Sequence, residues 1–354
     1  MIRFGIVGGG WRTEFFLRIA QALPERFEVT GIVTRSEEKG AALTKTWGVP
    51  TVRTPEELLA AKPDFMVLSV PWPVTPELII WCAERGIPVL AETPPAPTEE
   101  ALRTLWERVG ASAKVQIAEQ YPFQPHHAAR IAIARSGKLG TVTQAQVSAV
   151  HGYHGMALIR RYLDIGFEPV TIRAQKFTSP ILSSPGRSGG PTEEKVVPSG
   201  QTLAWLSFES GKLGVFDFTG DQYFSYIRGQ RVLVRGERGE ICDETVRLLL
   251  DYKTPVTLTL RREDAGHRGN LEGAFHKGYS AGTEWVYQNP FPLARLADDE
   301  IAIAECLVRM AEYATGGPGY YGLAEGCHDH YLGILMDRAA ASGEAVASAP
   351  MPWG

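Results

Sequence analysis

Two stretches of the 354-residue chain carry residue types and spacings that suggest chemistry: "GIVGGGWRTEFF", with Gly8-Gly9-Gly10, and "VLAETPPAP", whose apolar run stops at Glu92. Three glycines between an apolar run and a helical pattern suit a loop that wraps a phosphate. Gly8 allows the tight turn, Gly10 lets backbone approach a pyrophosphate, and the helix start supplies free N–H groups and positive potential. The third position of such a dinucleotide loop, normally Gly or Ala, is Thr13. About 20 residues on, where an acid would grip the 2′-hydroxyl of NAD, the sequence reads Thr34-Arg35-Ser36. No acid there repels a 2′-phosphate, and Arg35 and Ser36 are able to bind one, which favours NADP over NAD. The competing reading makes Arg35 a solvated turn residue stacking on adenine.

Candidate proton carriers come later. Histidine has a pKa near working pH without perturbation, as a general base needs. His154 follows His151 and Tyr153 and opens the helical pattern "MALIRRYL", so by itself it also reads as a helix-start cap. Tyr121, in "EQYPFQP", follows the last strand of the first third and faces the same cleft mouth. "CHDHY", residues 327–331, sounds like a metal cluster, but i, i+2 spacing puts His328 and His330 on different helix faces; no metal is expected.

The elements that must hold these residues fall into two groups. Over residues 1–120, strands at Arg3–Val7, Glu28–Val33, Thr51–Arg53, Phe65–Val70, Val89–Glu92 and Lys114–Ala118 alternate with helical patterns. Thr54-Pro55-Glu56-Glu57 and Thr75-Pro76-Glu77 read as helix caps, the second helix ending at Gly86. Such alternation gives a doubly wound parallel sheet of Rossmann type, an α/β nucleotide-binding domain. Residues 121–354 read as an α+β domain with a large, mostly antiparallel open sheet. Ser210-Gly211 and Arg238-Gly239 are hairpin corners, 180–200 a long surface loop, 264–297 a second irregular stretch, and Leu323–Ala341 a final helix.

Composition excludes other classes. A net charge of −4 without a basic tract argues against nucleic acid and an anionic membrane surface. No apolar stretch is long enough for a membrane span, and the start lacks the parts of a secretory signal. With Cys82, Cys242, Cys306 and Cys327 scattered, reduced thiols in a cytoplasmic protein are expected.

Together the glycine loop, "SVPWPVTPELIIWCAERGIPVLAETPPAP", "ARSGKLGTV" and "RGERGEI" resemble the glucose–fructose oxidoreductase, inositol dehydrogenase and MocA family over nearly the whole chain. The resemblance implies a nicotinamide cofactor held by Gly8, Gly10, Trp11, Arg12, Thr34, Arg35, Ser36, Ser69, Pro71, Trp72, Glu92 and Thr93. The family's fifth strand ends Glu-Lys-Pro, the glutamate near the nicotinamide and the lysine helping to deprotonate a substrate hydroxyl. Glu92 and Pro94 match, but Thr93 replaces the lysine, so Glu92 lacks its expected cationic neighbour. The family's catalytic histidine aligns with His154, with Tyr153 and Tyr121 as substitutes. A competing alignment on Asp164-Ile165-Gly166-Phe167-Glu168 puts Glu168 in its place and leaves no room for the helix that should come after it.

The resemblance implies an oxidoreductase of sugar- or polyol-like substrates, a homodimer or homotetramer if it pairs open sheet faces as relatives do. Redox-neutral glycosidic cleavage and a non-catalytic nucleotide sensor are the alternatives.

Overall fold

The computed structural model describes residues 1–269, 271 and 273–354. Six strands, β1 (Ile2–Val7), β2 (Phe27–Val33), β3 (Thr51–Val52), β4 (Phe65–Leu68), β5 (Val89–Ala91) and β6 (Val115–Ile117), form a parallel sheet. Its order, β3-β2-β1-β4-β5-β6, reverses direction between β1 and β4. Helices α1 (Thr13–Ala22), α2 (Glu37–Trp47), α3 (Pro55–Leu59), α4 (Thr75–Ala83) and α5 (Glu99–Val109) connect the strands. Both faces are buried, so the strands are apolar on both sides. Phe4, Ile6, Phe65 and Val67 pack toward Phe16 and Ile19 of α1, whereas Val7, Met66, Leu68 and Val89 pack toward Ile79, Leu102 and Leu105.

After α6 (Pro125–Arg135) the chain builds a second sheet from β7 (Val142–Ser148) onward, with α7 (Gly152–Leu163) following β7. Its other strands are β8 (Val170–Leu182), β9 (Val196–Phe208), β10 (Leu213–Thr219), β11 (Arg231–Gly236), β12 (Gly239–Cys242), β13 (Thr245–Asp251), β14 (Thr254–Asp264), β15 (His276–Ala281) and β16 (Glu284–Gln288). Helices α8 (Asp298–Ala314) and α9 (Leu323–Ser342) and the edge strand β17 (Val346–Ala347) complete the chain. The eleven strands run β16-β15-β14-β13-β12-β11-β7-β10-β9-β8-β17, antiparallel except for β7 beside β10. Helix α7 is buried along almost its whole length, and one face of the sheet lies over it. Helix α8 returns to the first sheet, where Ile301, Ile303, Leu307 and Met310 share a core with Phe4, Phe16 and Phe65.

Several expectations change. The loop foreseen over 180–200 shrinks to 183–195, because β8 and β9 stay paired from Val170↔Phe208 to Leu182↔Val196. Prolines 180 and 198 face each other near the end of that ribbon, a placement that turn-seeking rules miss. The stretch at 264–297 holds the β15–β16 hairpin; positions 270 and 272 within it lie outside the described residues. Thr54 caps α3 as expected, accepting from the Glu57 N–H at 3.2 Å. Thr75 does not cap α4: the helix begins on it, and its hydroxyl turns back toward the Pro71 carbonyl at 3.5 Å.

Candidate active site

The carboxyl ends of β1, β4, β5 and β6 open onto one cleft, at the point where strand order reverses and where ligands of such sheets bind. The glycine loop leaves β1 here. Gly8 has φ +116°, and a Cβ on it would lie 2.0 Å from the Ser69 carbonyl oxygen, so only glycine fits. Gly10 differs: a Cβ there would meet nothing within 4 Å. That open space in front of a helix start is the cradle a dinucleotide's phosphates require. Thr13, the departure from the usual small residue, is fully buried and donates its hydroxyl to the Gly8 carbonyl at 3.0 Å. It braces the turn from inside. At the end of β2, the Ser36 hydroxyl caps α2 by accepting from the Lys39 N–H at 3.2 Å. Arg53 donates to the carbonyls of Thr34, at 2.9 Å, and Ser36, at 3.2 Å, while Arg35 is exposed.

Glu92 follows β5 and does have a cation beside it, though not from position 93. Arg12, at the start of α1, donates Nε–H to Glu92 Oε1 at 2.8 Å and Nη1–H to Asp299 Oδ2 at 3.3 Å. Burial works against the charge on Arg12, but these two carboxylates outweigh it and hold the guanidinium firmly ionised. The expectation of a missing neighbour is thus corrected: the charge comes from the glycine loop's own helix. Asp299, from the first turn of α8, also accepts from Gln124 Nε2 at 2.9 Å. No local pattern marks Asp299, which lies 287 residues from Arg12 along the chain.

His154 enters from α7. Its Nδ1 lies 2.5 Å from Glu119 Oε2, and the Glu119 side chain is 0% exposed. Glu119 Oε1 accepts the Tyr121 N–H at 3.1 Å, which fixes the carboxyl plane. Burial raises Glu119 above the ordinary carboxylate range, and burial with the nearby Arg12 charge lowers His154 below the ordinary imidazole range. Both partners favour their neutral forms, which puts one proton between Oε2 and Nδ1 and leaves the imidazole's own proton on Nε2. Among the described residues nothing bonds His154 Nε2.

Glu119 was not singled out from sequence, although a signal existed. "VQIAE" closes β6 as "PVLAE" closes β5, and the strands are in register with Ala91 beside Ile117. Two adjacent strands therefore end on acids at one cleft.

Aromatic rings line the space around His154. Tyr153 and Tyr121 have centroids 4.4 and 4.5 Å from its ring, and His151 lies 5.0 Å away. Burial raises both phenols well above their ordinary range, so they serve as neutral donors. The Tyr153 hydroxyl points at the Thr93 carbonyl, 3.5 Å away. Trp72, following β4, is 44% exposed and meets Tyr153 and His330 edge-on at 6.1 and 6.0 Å. His330 thus belongs to the cleft wall. His328 turns away to Phe167, 5.1 Å off. Among the described residues, no group of three or more His, Cys, Asp or Glu side chains could hold a metal ion.

The competing alignment places its residues elsewhere. Asp164 caps the far end of α7 in a left-handed conformation, and Glu168 accepts from the exposed Ser210 hydroxyl at 2.6 Å. The structure brings His154, Tyr153, Tyr121, Glu92 and Thr93 together and leaves Glu168 outside.

Residues 2–120 match the glucose–fructose oxidoreductase, inositol dehydrogenase and MocA family, described as an oxidoreductase family with an NAD-binding Rossmann fold. Solved structures of similar fold cover both sheets of the chain. Levoglucosan dehydrogenase in complex with NADH and levoglucosan is 16% identical, with a TM-score of 0.69 and all of each chain covered. A myo-inositol dehydrogenase from Corynebacterium glutamicum is 19% identical, with a TM-score of 0.65 and 99% of each chain covered. An oxidoreductase from Agrobacterium radiobacter in complex with NAD+, L-tartaric acid and magnesium is 14% identical, with a TM-score of 0.64 over 98% of each chain. No curated protein matches the chain.

Proposed function

We propose that the protein is a nicotinamide-dependent dehydrogenase of sugar- or polyol-like substrates, with His154 as its general base. One observation carries this reading: the Glu119–His154 couple, buried on one side, leaves Nε2 without a protein partner in the cleft where β1, β4 and β5 end. The open space at Gly10 fits the cofactor's diphosphate, while the ends of β4 and β5, with Ser69, Pro71, Trp72, Glu92 and Thr93, flank its nicotinamide end. When bound, the nicotinamide accepts the hydrogen and electron pair from the substrate carbon.

The chain's own residues handle the proton. Once the couple gives up one of its two protons, the one that remains sits on Nδ1 beside the Glu119 carboxylate, and Nε2 presents a lone pair that takes the substrate hydroxyl proton. The Glu119 carboxylate then stabilises the resulting imidazolium. With both protons present, one on Glu119 and one on Nε2, Nε2–H is a donor instead, which suits the reverse reduction. Tyr121 and Tyr153, kept neutral by burial, orient the substrate oxygen. Trp72, Tyr153 and His330 offer ring faces and edges to a sugar's apolar side.

NADP is favoured over NAD as the finer reading, because residues 34–36 contain no acid and Arg35 is exposed. The Ser36 hydroxyl is already used as a cap, so Arg35 supplies the discrimination. Equal affinity for NAD and NADP in the unmutated protein removes that preference. The same reading takes residues 1–120 and 121–354 as cofactor and substrate domains of a cytoplasmic homo-oligomer; chromatography with light scattering checks its assembly.

The activity is tested by following the reduced-nicotinamide absorbance with each cofactor over a panel of sugars, polyols and aryl glycosides. Net reduction supports the dehydrogenase. Aglycone release without net reduction replaces it with redox-neutral cleavage, and cofactor binding without turnover replaces it with a sensor.

A further inference from the structure

The β8–β9 loop, residues 183–195, leaves the second sheet and reaches the glycine loop of the first domain. At its tip, Gly186 and Gly189 exchange backbone hydrogen bonds at 2.9 and 3.1 Å, closing a tight turn around Arg187 and Ser188. The loop is tied at its base by the Ser183 N–H donating to the Lys195 carbonyl at 2.7 Å. The Ser184 hydroxyl also donates to Ser225 Oγ at 3.1 Å. Its backbone is thereby pre-shaped rather than slack.

Arg187 projects from this turn, its guanidinium 3.6 Å over the centroid of the Trp11 ring. Trp11 directly follows Gly10 and is 53% exposed. No carboxylate among the described residues pairs with Arg187. Its charge also acts on the Tyr223 phenol, which lies 2.5 Å from His151 Nδ1. The guanidinium therefore stands at the glycine loop, close enough to the His151–Tyr223 pair for its charge to be felt there.

A cation with no acidic partner, stacked on the residue after a phosphate-type glycine loop, is suited to an anion. The neighbouring Arg12 is already neutralised by Glu92 and Asp299. Backbone N–H groups at the start of α1 supply only partial charges. We propose that Arg187 is a cofactor-binding residue supplied by the second domain, stacked on Trp11 and holding its guanidinium against the cofactor's diphosphate. This rests on the dehydrogenase reading above. It makes cofactor binding a link between the two domains: the first provides the cradle and the second closes it with a planar, bidentate donor.

The test is calorimetric titration of the unmutated protein, Arg187→Gln and Arg187→Lys with NADH, NADPH and ADP-ribose, which carries the diphosphate but no nicotinamide. Loss of a charge-assisted contact should weaken binding of the preferred reduced cofactor and of ADP-ribose alike, about 10- to 100-fold in Arg187→Gln. Arg187→Lys should lose less, and added salt should narrow the difference. Equal affinities for the unmutated protein and Arg187→Gln overturn the proposal while leaving the dehydrogenase reading intact. Weakening confined to the reduced cofactors, with ADP-ribose unaffected, also overturns it, since the charge would then serve the nicotinamide end. Failure of the unmutated protein to bind any of the three removes the reading and the proposal together.

Discussion

Helix α7 places a basic side chain against a buried carboxyl group at His154 and again at Arg160, and the two couples differ in one respect. Near its start, His154 meets Glu119; two turns later, Arg160 donates to Asp329 Oδ1 at 2.7 Å. Arg160 also donates to the Gly166 carbonyl at 3.0 Å, and the Tyr321 hydroxyl donates to Asp329 Oδ2. Asp329 is thus bonded at both oxygens, and its guanidinium partner lies over the Phe167 ring at 5.1 Å. The couple is saturated and sealed between α7 and α9. The His154 couple is bonded on one side only, with a ring nitrogen left over in an aromatic cleft. A buried polar pair whose bonds are all used holds a fold, and one with a spare nitrogen at a cleft is available for chemistry.

The largest effect should come from breaking the saturated couple. Arg160→Met leaves Asp329 buried without its cation and should cost about 3–5 kcal/mol of stability. The double variant Arg160→Met/Asp329→Leu should recover most of that loss. Chemical denaturation checks both, and a single variant as stable as the unmutated protein would show that the couple contributes nothing. By contrast, Glu119→Gln keeps a hydrogen bond to His154 but cannot exchange the shared proton. It should lower kcat about 10- to 100-fold with little change in melting temperature, measured by parallel kinetics and thermal unfolding.

The glycine loop supplies the next contrast. Gly10→Val adds atoms to open space and should leave the fold intact while abolishing cofactor binding. Gly8→Ala forces a side chain onto the Ser69 carbonyl and should lower the melting temperature. Titration and thermal scans of the two variants separate a ligand cradle from a structural turn.

A smaller effect concerns acid. Burial lowers His126 to about 4 and His328 to about 3, and lowers His127 well below its ordinary value. The folded chain then binds fewer protons at these sites than the unfolded chain, whose histidines titrate near 6.5. Their contribution is present above that pH and is lost progressively as pH falls toward 4. Glu119 and Asp329, raised by burial, act in the opposite sense and soften the slope. Melting temperature measured from pH 7 down to about 4 should decline through that window. A flat profile would contradict the burial of neutral histidines.

Legibility in the sequence depends on chain distance. The parallel sheet was readable because short apolar runs alternate with helical periods, and helix starts such as those at Ser36 and Thr54 carry side-chain caps. Gly8, Gly10 and Glu92 sit at strand ends, where position alone implies a cleft. The ribbon of β8 and β9 was hidden because Pro180 and Pro198 suggest a loop unless the partner strand is known. Asp299 and Glu119 were missed because their roles exist only across the fold, toward Arg12 and His154. Thr93 misled for the same reason: the charge expected at the next residue arrives from α1. Local chemistry was visible, and partnerships between distant segments were not.

Above all, the spare nitrogen of His154 is held to take the substrate proton. Single-turnover reduction of the bound nicotinamide, with the best substrate of the panel, tests this in the unmutated protein and His154→Ala. The expected rate is about 10²–10⁴-fold lower in the variant, with cofactor affinity and melting temperature nearly unchanged. Equal rates in the two proteins would contradict that role.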